Sequence, residues 1–457
     1  MALLKLLSFS ILMLFLNHHT CYSNLEDDTS LGCSNDTSSY NISSYPTNFS
    51  VPDSVDDGAT AYDDRGRFAL QTFDQVDISQ GVFNVDKFGA KGDGSTDDTK
   101  AFEKAWAKAC SSSISAILLV PKKKYLLKPI TFYGSCASSI TIMIKGTIEA
   151  SSRSSDWTSK NRRHWMLFNG IKNLTVTGGG TINGNGKIWW QKSCKVNKSL
   201  PCKNAPTAMT FYSCNNLRVE NLKVENSQQI HVNFEKCSNV RAAKLTITAP
   251  SSSPNTDGIH VTRTKNIEIT NCVIKTGDDC ISIVTGSKDV KATEIVCGPG
   301  HGISIGSLGA GKSRAQVSGV TIDTAQFSGT QNGVRIKTWQ GGSGYAKNIV
   351  FKNLVMNDVQ NPIIIEQNYC DRGTGNECIA TSNSAVEVSN ILYQNIKGTS
   401  ASQVAVKFSC SESIPCHGIV LQNINLVAKV GGSPTKSTCE NAKWSKKGTV
   451  VPAPCKY

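Results

Sequence analysis

Long apolar runs are almost absent from this chain of 457 residues. The exception is its start, "MALLKLLSFSILMLFLNHHTCYS", which carries Lys5, a largely apolar run Leu6–Leu16 and a small-x-small end at Cys21-Tyr22-Ser23. That run is too short for a bilayer span and has the order of a secretory leader over 1–23, cut near Asn24. No later stretch is long and apolar enough to cross a membrane, so the expected mature protein is soluble and exported.

Metal-type cysteine spacing is also lacking. None of the 17 Cys stands in a C-x-x-C knuckle, which disfavours structural zinc. Removing Cys21 with the leader leaves sixteen, several close together as Cys194/Cys202, Cys370/Cys378, Cys410/Cys416 and Cys439/Cys455. Disulfides are the expectation, as in an oxidising compartment. Sequons at Asn35, Asn41, Asn48, Asn173 and Asn197 fit a secreted glycoprotein.

Basic residues are scarce in one segment only. Residues 24–78 hold eleven Asp or Glu against Arg65 and Arg67, a net −9, which leaves +21 on residues 79–457. The acidic segment has no sustained periodicity and reads as a disordered propeptide or a solvated tail. The basic body calls for a polyanionic partner. No nucleic-acid-binding motif is present and the chain is exported, so an acidic extracellular polysaccharide fits better than nucleic acid.

Long amphipathic helix patterns are missing too. One helix is expected, over 95–110 ("STDDTKAFEKAWAKAC"), with Asp97 and Asp98 in its first turn and Phe102, Trp106 and Ala109 on one face. It lies where the body begins and suits a cap. The Asp-rich "GDGSTDD" before it does not meet the EF-hand spacing.

What fills the rest is a repeat. "QIHVNF", "GIHVTR", "CISIVT", "GISIGS" and "GVRIKT" align on Ile230, Ile259, Ile281, Ile303 and Val334, at intervals of 29, 22, 22 and 31, and "PIIIEQ" continues at Ile363. A second register starts at Asn216, Asn239, Asn266 and Asn348. Two registers stepping together mean stacked coils, an all-β parallel β-helix over 79–457 as one solenoid domain. A β-sandwich also makes many short strands, but its hairpins would require N-G or D-G punctuation that does not recur here.

This register gives the acidic turns "NTDGIH" and "KTGDDCISI" a geometry. Two positions before the aligned apolar residue, successive coils carry Asp257, Asp279, His301 and Asn332, with neighbouring rungs about 4.8 Å apart. Asp278 precedes Asp279 and points another way. One position after the apolar residue come His260, Ser282, Ser304 and Arg335, outward by alternation, and Lys337 shares that face. Three carboxylates, a His, an Arg and a Lys thus meet on one strip. Glycosidic cleavage needs an acid for the leaving oxygen and a carboxylate to activate water, roughly 6.5–9.5 Å apart in inverting enzymes. Crowded like charges raise one carboxyl pKa while the cations lower it, so the net shift is open.

These residues closely resemble the polygalacturonase family, whose signatures stand here in order as "NTDGIH", "GDDC", "GHGISIGSLG" and "RIK". The resemblance covers roughly 82–457, and "FGAKGDGSTDDTKAFEKAWAKAC" and "GGGTINGNGKIWW" look most like its plant branch. It implies a right-handed parallel β-helix that hydrolyses galacturonate linkages of pectin with inversion. It needs no metal or cofactor and works as a secreted cell-wall monomer. By this resemblance Asp278 is the general acid, and Asp257 and Asp279 position and deprotonate water. His301 supports the acid or holds substrate, Arg335 and Lys337 bind carboxylates, and Asn255 organises its turn and touches substrate. Tyr369 contacts the sugar or packs. The implied disulfides are Cys280–Cys297, Cys410–Cys416 and Cys439–Cys455. Rival readings are a calcium-dependent pectate lyase, a rhamnogalacturonan hydrolase and a non-catalytic pectin binder; endo and exo action stay open.

Overall fold

The computed structural model describes residues 81–158, 162–370, 382–429, 434–453 and 455, with two short strands before them. All of these fall in the unit Leu31–Tyr457. The expected leader lies outside the described residues. So does most of the acidic segment, in which Thr60–Tyr62 and Phe68–Leu70 pair antiparallel. Among the described residues no helix is long and apolar enough to cross a membrane.

Among the described residues two long sheets run through the body, of 11 and 17 strands, and in the first every neighbour pair is parallel. From Thr207 onward consecutive coils contribute one strand to each sheet, while earlier coils place two in the larger one; both are the stacking of a parallel β-helix. The strands that matter for function lie side by side in the first sheet. They are β1 (Val232–Glu235), β2 (Ile259–Thr262), β3 (Ile281–Ile283), β4 (Ile303–Leu308), β5 (Asn332–Trp339) and β6 (Asn361–Tyr369). Ile259, Ile281, Ile303, Val334 and Ile363 stack in register, and each is 0% exposed. Burying each such side chain is worth about 1.5–3 kcal/mol, so the column fixes the register.

One rung departs from the expected alignment. Val232, not Ile230, pairs with Ile259. The slip is two residues, so the faces are preserved; alternation alone cannot separate two apolar residues that stand two apart.

The Asn-led register has a conformational cause. Asn173, Asn216, Asn239, Asn266 and Asn348 all have φ between 54° and 57°, where a short polar side chain is better tolerated than a bulky one. Their amides bond from rung to rung, Asn216 to Asn173 at 2.7 Å and Asn266 to Asn239 at 2.8 Å. Inside the coils Phe132, Phe168, Phe211 and Phe234 stack at 4.9, 4.7 and 5.4 Å.

Helix α1 (Thr99–Cys110) buries Ala101, Phe102, Ala105, Trp106 and Ala109, and Trp106 meets Phe132 edge-on at 5.2 Å. It packs on Ile130–Tyr133, the terminal strand of the first sheet, and so caps it. It begins later than expected. Asp93–Asp97 is a strand, the Asp97 carboxylate accepts from Thr99, and Asp98 turns back to accept from the Lys91 and Gly92 amides.

Disulfides join Cys110–Cys136, Cys194–Cys202, Cys280–Cys297, Cys410–Cys416 and Cys439–Cys455. These include all three pairings that the resemblance implied. Cys214, Cys237 and Cys272 are buried and unpaired, so the even count does not mean that every thiol is oxidised.

Candidate active site

The turns entering β2, β3 and β4 carry Asp257, Asp278, Asp279 and His301. Their spacing is set by backbone bonds across rungs: Gly258 N donates to Asp279 O at 2.9 Å and Cys280 N to Gly302 O at 2.7 Å. Gly277 is required by closeness, because a Cβ there would sit 2.0 Å from the Ser253 carbonyl. The Cys280–Cys297 bridge ties the end of the "GDDC" turn to the second sheet.

The acids differ in their partners. Ser282 Oγ donates to Asp257 Oδ2 at 2.6 Å. With that proton committed, His260 Nδ1 donates to Ser282 Oγ at 2.7 Å and lies 3.8 Å from Asp257. Asp278 Oδ1 accepts from His301 Nδ1 at 2.9 Å and from the Asp279 amide at 2.8 Å. Asp279 is 2% exposed; its Oδ1 accepts from Ser304 Oγ at 2.7 Å and Arg335 Nη2 at 3.1 Å, its Oδ2 from Lys337 Nζ at 3.3 Å. Arg335 Nε also donates to Ser304 Oγ at 3.0 Å.

Arg335 and Lys337 were expected to face substrate carboxylates. In the structure both are held on Asp279, within a strip whose polar side chains are largely buried. Lys337 Nζ also lies 5.4 Å from the Tyr369 ring, and that ring meets Trp339 edge-on at 5.4 Å. Asn255 has φ 56°, as a turn former should, and lines a cleft one coil away.

The crowding splits the titrations. Burial, then the Asp278 charge, raises the Asp257 pKa. For Asp278, burial pushes upward, but His301, Lys195 and Lys337 outweigh it and hold the carboxyl well below the usual range. Burial opposes protonation of His301, and the Asp278 charge overcomes it, so the imidazole pKa lies above its ordinary 6.5. The upward carboxyl shift therefore falls on Asp257.

Asp278, Asp279 and His301 each offer a ligand-type atom within 4.8 Å of the others. Both Asp279 oxygens already accept from cationic groups, whose charge opposes a metal ion there.

Three bracing contacts carry no signal in the sequence. Ser282, His260 and Ser304 stood in the outward row, yet only coordinates reveal that each braces an aspartate. Lys195, whose charge acts on Asp278, lies in a segment with no periodic signal.

A parallel β-helix with three carboxylates and a braced cation pair on one sheet face is an arrangement suited to acid/base cleavage of an extended anionic chain. Comparison with known proteins agrees. Residues 110–451 match Glycosyl hydrolases family 28. Polygalacturonase-2 of Solanum lycopersicum is 58% identical over 372 residues, 81% of this chain and 80% of that one. A polygalacturonase of Persea americana is 52% identical over 451 residues, covering 96% and 95%. The solved polygalacturonase of Erwinia carotovora superposes with a TM-score of 0.62 at 24% identity, over 79% of this chain and 94% of that one. This chain belongs to glycosyl hydrolases family 28.

Proposed function

We infer that the protein is a polygalacturonase, hydrolysing α-1,4 bonds between galacturonate residues of pectin with inversion. The observation that carries this reading is the meeting of Asp257, Asp278 and Asp279 on adjacent rungs beside Arg335 and Lys337. The names of the plant relatives support the substrate.

Asp278 protonates the leaving oxygen, with His301 supporting it. The free site holds this carboxyl low because His301, Lys195 and Lys337 act on it. A galacturonate carboxylate arriving beside those lysines offsets their charge and desolvates the site, and both changes raise the acid's pKa. Asp257 and Asp279, each braced by a serine, orient water and take its proton. Arg335 and Lys337 present their remaining donors to a substrate carboxylate. Tyr369, whose ring lies 5.4 Å from Lys337 Nζ, borders that position, and Asn255 organises its turn and touches substrate.

The same reading makes the chain a secreted wall enzyme, with a leader over 1–23, an acidic propeptide over 24–78 and one catalytic domain over 79–457. The disulfides, plant relatives and sequons support export. Removing 24–78 should leave activity undiminished; lost folding would assign that segment a structural role.

The enzymatic test is product analysis on polygalacturonate. Hydrolysis releases reducing ends without the near-ultraviolet absorbance of unsaturated uronides and without dependence on calcium. Unsaturated, calcium-dependent products would make the protein a lyase instead.

A further inference from the structure

The outer face of the second sheet carries positive charge that the catalytic site does not use. Strands Asn215–Glu225, Ser238–Thr248, Lys265–Lys275 and Lys288–Cys297 lie side by side there in parallel register. Lys172, Lys265, Lys288 and Lys347 fall in one column of that register. Arg218, Arg241 and Lys291 fall in a second column, three residues further along each strand. Rungs stand about 4.8 Å apart, so the two columns make one cationic strip.

Little on the strip offsets this charge. Among the described residues its one acid is Glu268, which Arg241 Nη1 holds at 2.5 Å, and Asp289 lies beside the first column, 4.0 Å from Lys288. Arg218, Lys265 and Lys291 are exposed and form no ion pair among the described residues. Lys265 and Lys288 stand on adjacent rungs, where like charges repel, and a bound polyanion turns that repulsion into attraction. Between the columns runs the Asn-led row. Asn216 and Asn266 each give one amide N–H to the ladder, bonding Asn173 and Asn239, and each keeps a second N–H for a sugar hydroxyl.

The strip is separate from the catalytic groove. Val240, Ile267 and Val290 of the second sheet turn inward, into the same core as Ile259 and Ile281 of the first. That core stands between the strip and the strands that carry the aspartates, so a chain held on the strip leaves the aspartates free.

We propose that this strip is a second, non-catalytic binding surface for polygalacturonate, holding the enzyme on pectin while another stretch of chain is cut. Its lysines and arginines meet the carboxylates of the polymer, and the Asn-led row meets its hydroxyls. The assignment rests on the polygalacturonase reading above.

The test uses the full-length protein with Asp278→Asn, so that the polymer is not cut, titrated onto immobilised polygalacturonate. Excess galacturonate trimer fills the catalytic groove. A binding phase should survive the trimer and weaken steeply with salt, as polyanion complexes do. Arg218→Gln/Lys265→Gln/Lys288→Gln/Lys291→Gln changes only exposed side chains and should weaken that phase about tenfold or more. In the protein with Asp278 intact, the same four substitutions should leave Tm and kcat/KM on the trimer unchanged. Loss of all binding to the trimer, or an undiminished phase in the fourfold variant, overturns the strip. Binding that appears only after removal of 24–78 would assign the strip to that acidic segment and overturn the proposal too. If the protein with Asp278 intact releases no reducing ends from polygalacturonate, the polygalacturonase reading fails instead.

Discussion

Asp279 and Arg335 belong to coils two rungs apart, yet guanidinium Nη2 reaches carboxylate Oδ1 at 3.1 Å, and Ser304 from the coil between bonds to both. Three successive rungs are thereby locked into one charged unit. Breaking a buried ion pair by removing one partner costs about 3–5 kcal/mol, largely because a charge is left uncompensated. Arg335→Ala should therefore lower Tm and reduce kcat/KM on polygalacturonate by at least ~10²-fold. Arg335→Lys should recover only part of either, since an ammonium cannot serve Ser304 and Asp279 with the same planar fork. Equal kinetics for Lys and Arg would contradict this bracing role.

Ser282 makes a smaller but separable contribution. Its hydroxyl connects His260 to Asp257, and Ser282→Ala removes that link without adding bulk. A hydrogen bond to a charged group is worth about 1.5–3 kcal/mol, so kcat should fall ~10- to 100-fold. Circular dichroism should show the fold intact. Full activity would mean that Asp257 needs no second holder.

The pH profile follows from the two upward shifts. Asp257 is raised above 3.8 by burial and by Asp278, so water activation is lost as pH falls through a value above that of an ordinary carboxyl. His301 is raised above 6.5, so its ion pair with Asp278 persists past that pH and is lost as pH rises through the folded-state value. In stability terms, the His301 contribution is complete below its unfolded pKa and disappears on the alkaline side. The kcat/KM profile should be a bell, and His301→Asn should move or abolish its alkaline limb. An identical limb in the variant would assign that titration elsewhere.

Gly277 tests how tightly the acidic turns are packed. Its Cβ would meet the backbone of Ser253 rather than a flexible side chain, so the turn itself must move. Gly277→Ala should destabilise the protein by roughly 1–3 kcal/mol and reduce kcat about 100-fold by displacing Asp278 and Asp279. A fully active alanine variant, measured by reducing-end release, would show that the spacing tolerates this shift.

Much of this arrangement was legible before any coordinates. The column from Ile259 to Ile363 and the Asn-led turns are local, repeated signals, and register carried Asp257 and Asp279 onto neighbouring rungs. Two-residue alternation could not choose between Ile230 and Val232. Nor could it foresee where long side chains end: Arg335 and Lys337 span rungs to reach Asp279. The segment 187–205 has no period at all, so neither the cleft it borders nor the reach of Lys195 was readable. Cys214, Cys237 and Cys272 show a further limit, since a count of thiols carries no information on their distances.

The division of labour among the acids is the central claim, and leaving-group dependence tests it most directly. Asp278→Asn and Asp279→Asn should be compared on polygalacturonate and on a galacturonate oligomer bearing a good aryl leaving group. General acid catalysis is typically worth ~10²–10⁴-fold, and a leaving group that needs no proton makes it dispensable. The account predicts that Asp278→Asn loses the polymer but keeps most activity on the aryl substrate, while Asp279→Asn loses both. Recovery of Asp279→Asn on the aryl substrate, with Asp278→Asn inactive on both, would contradict it.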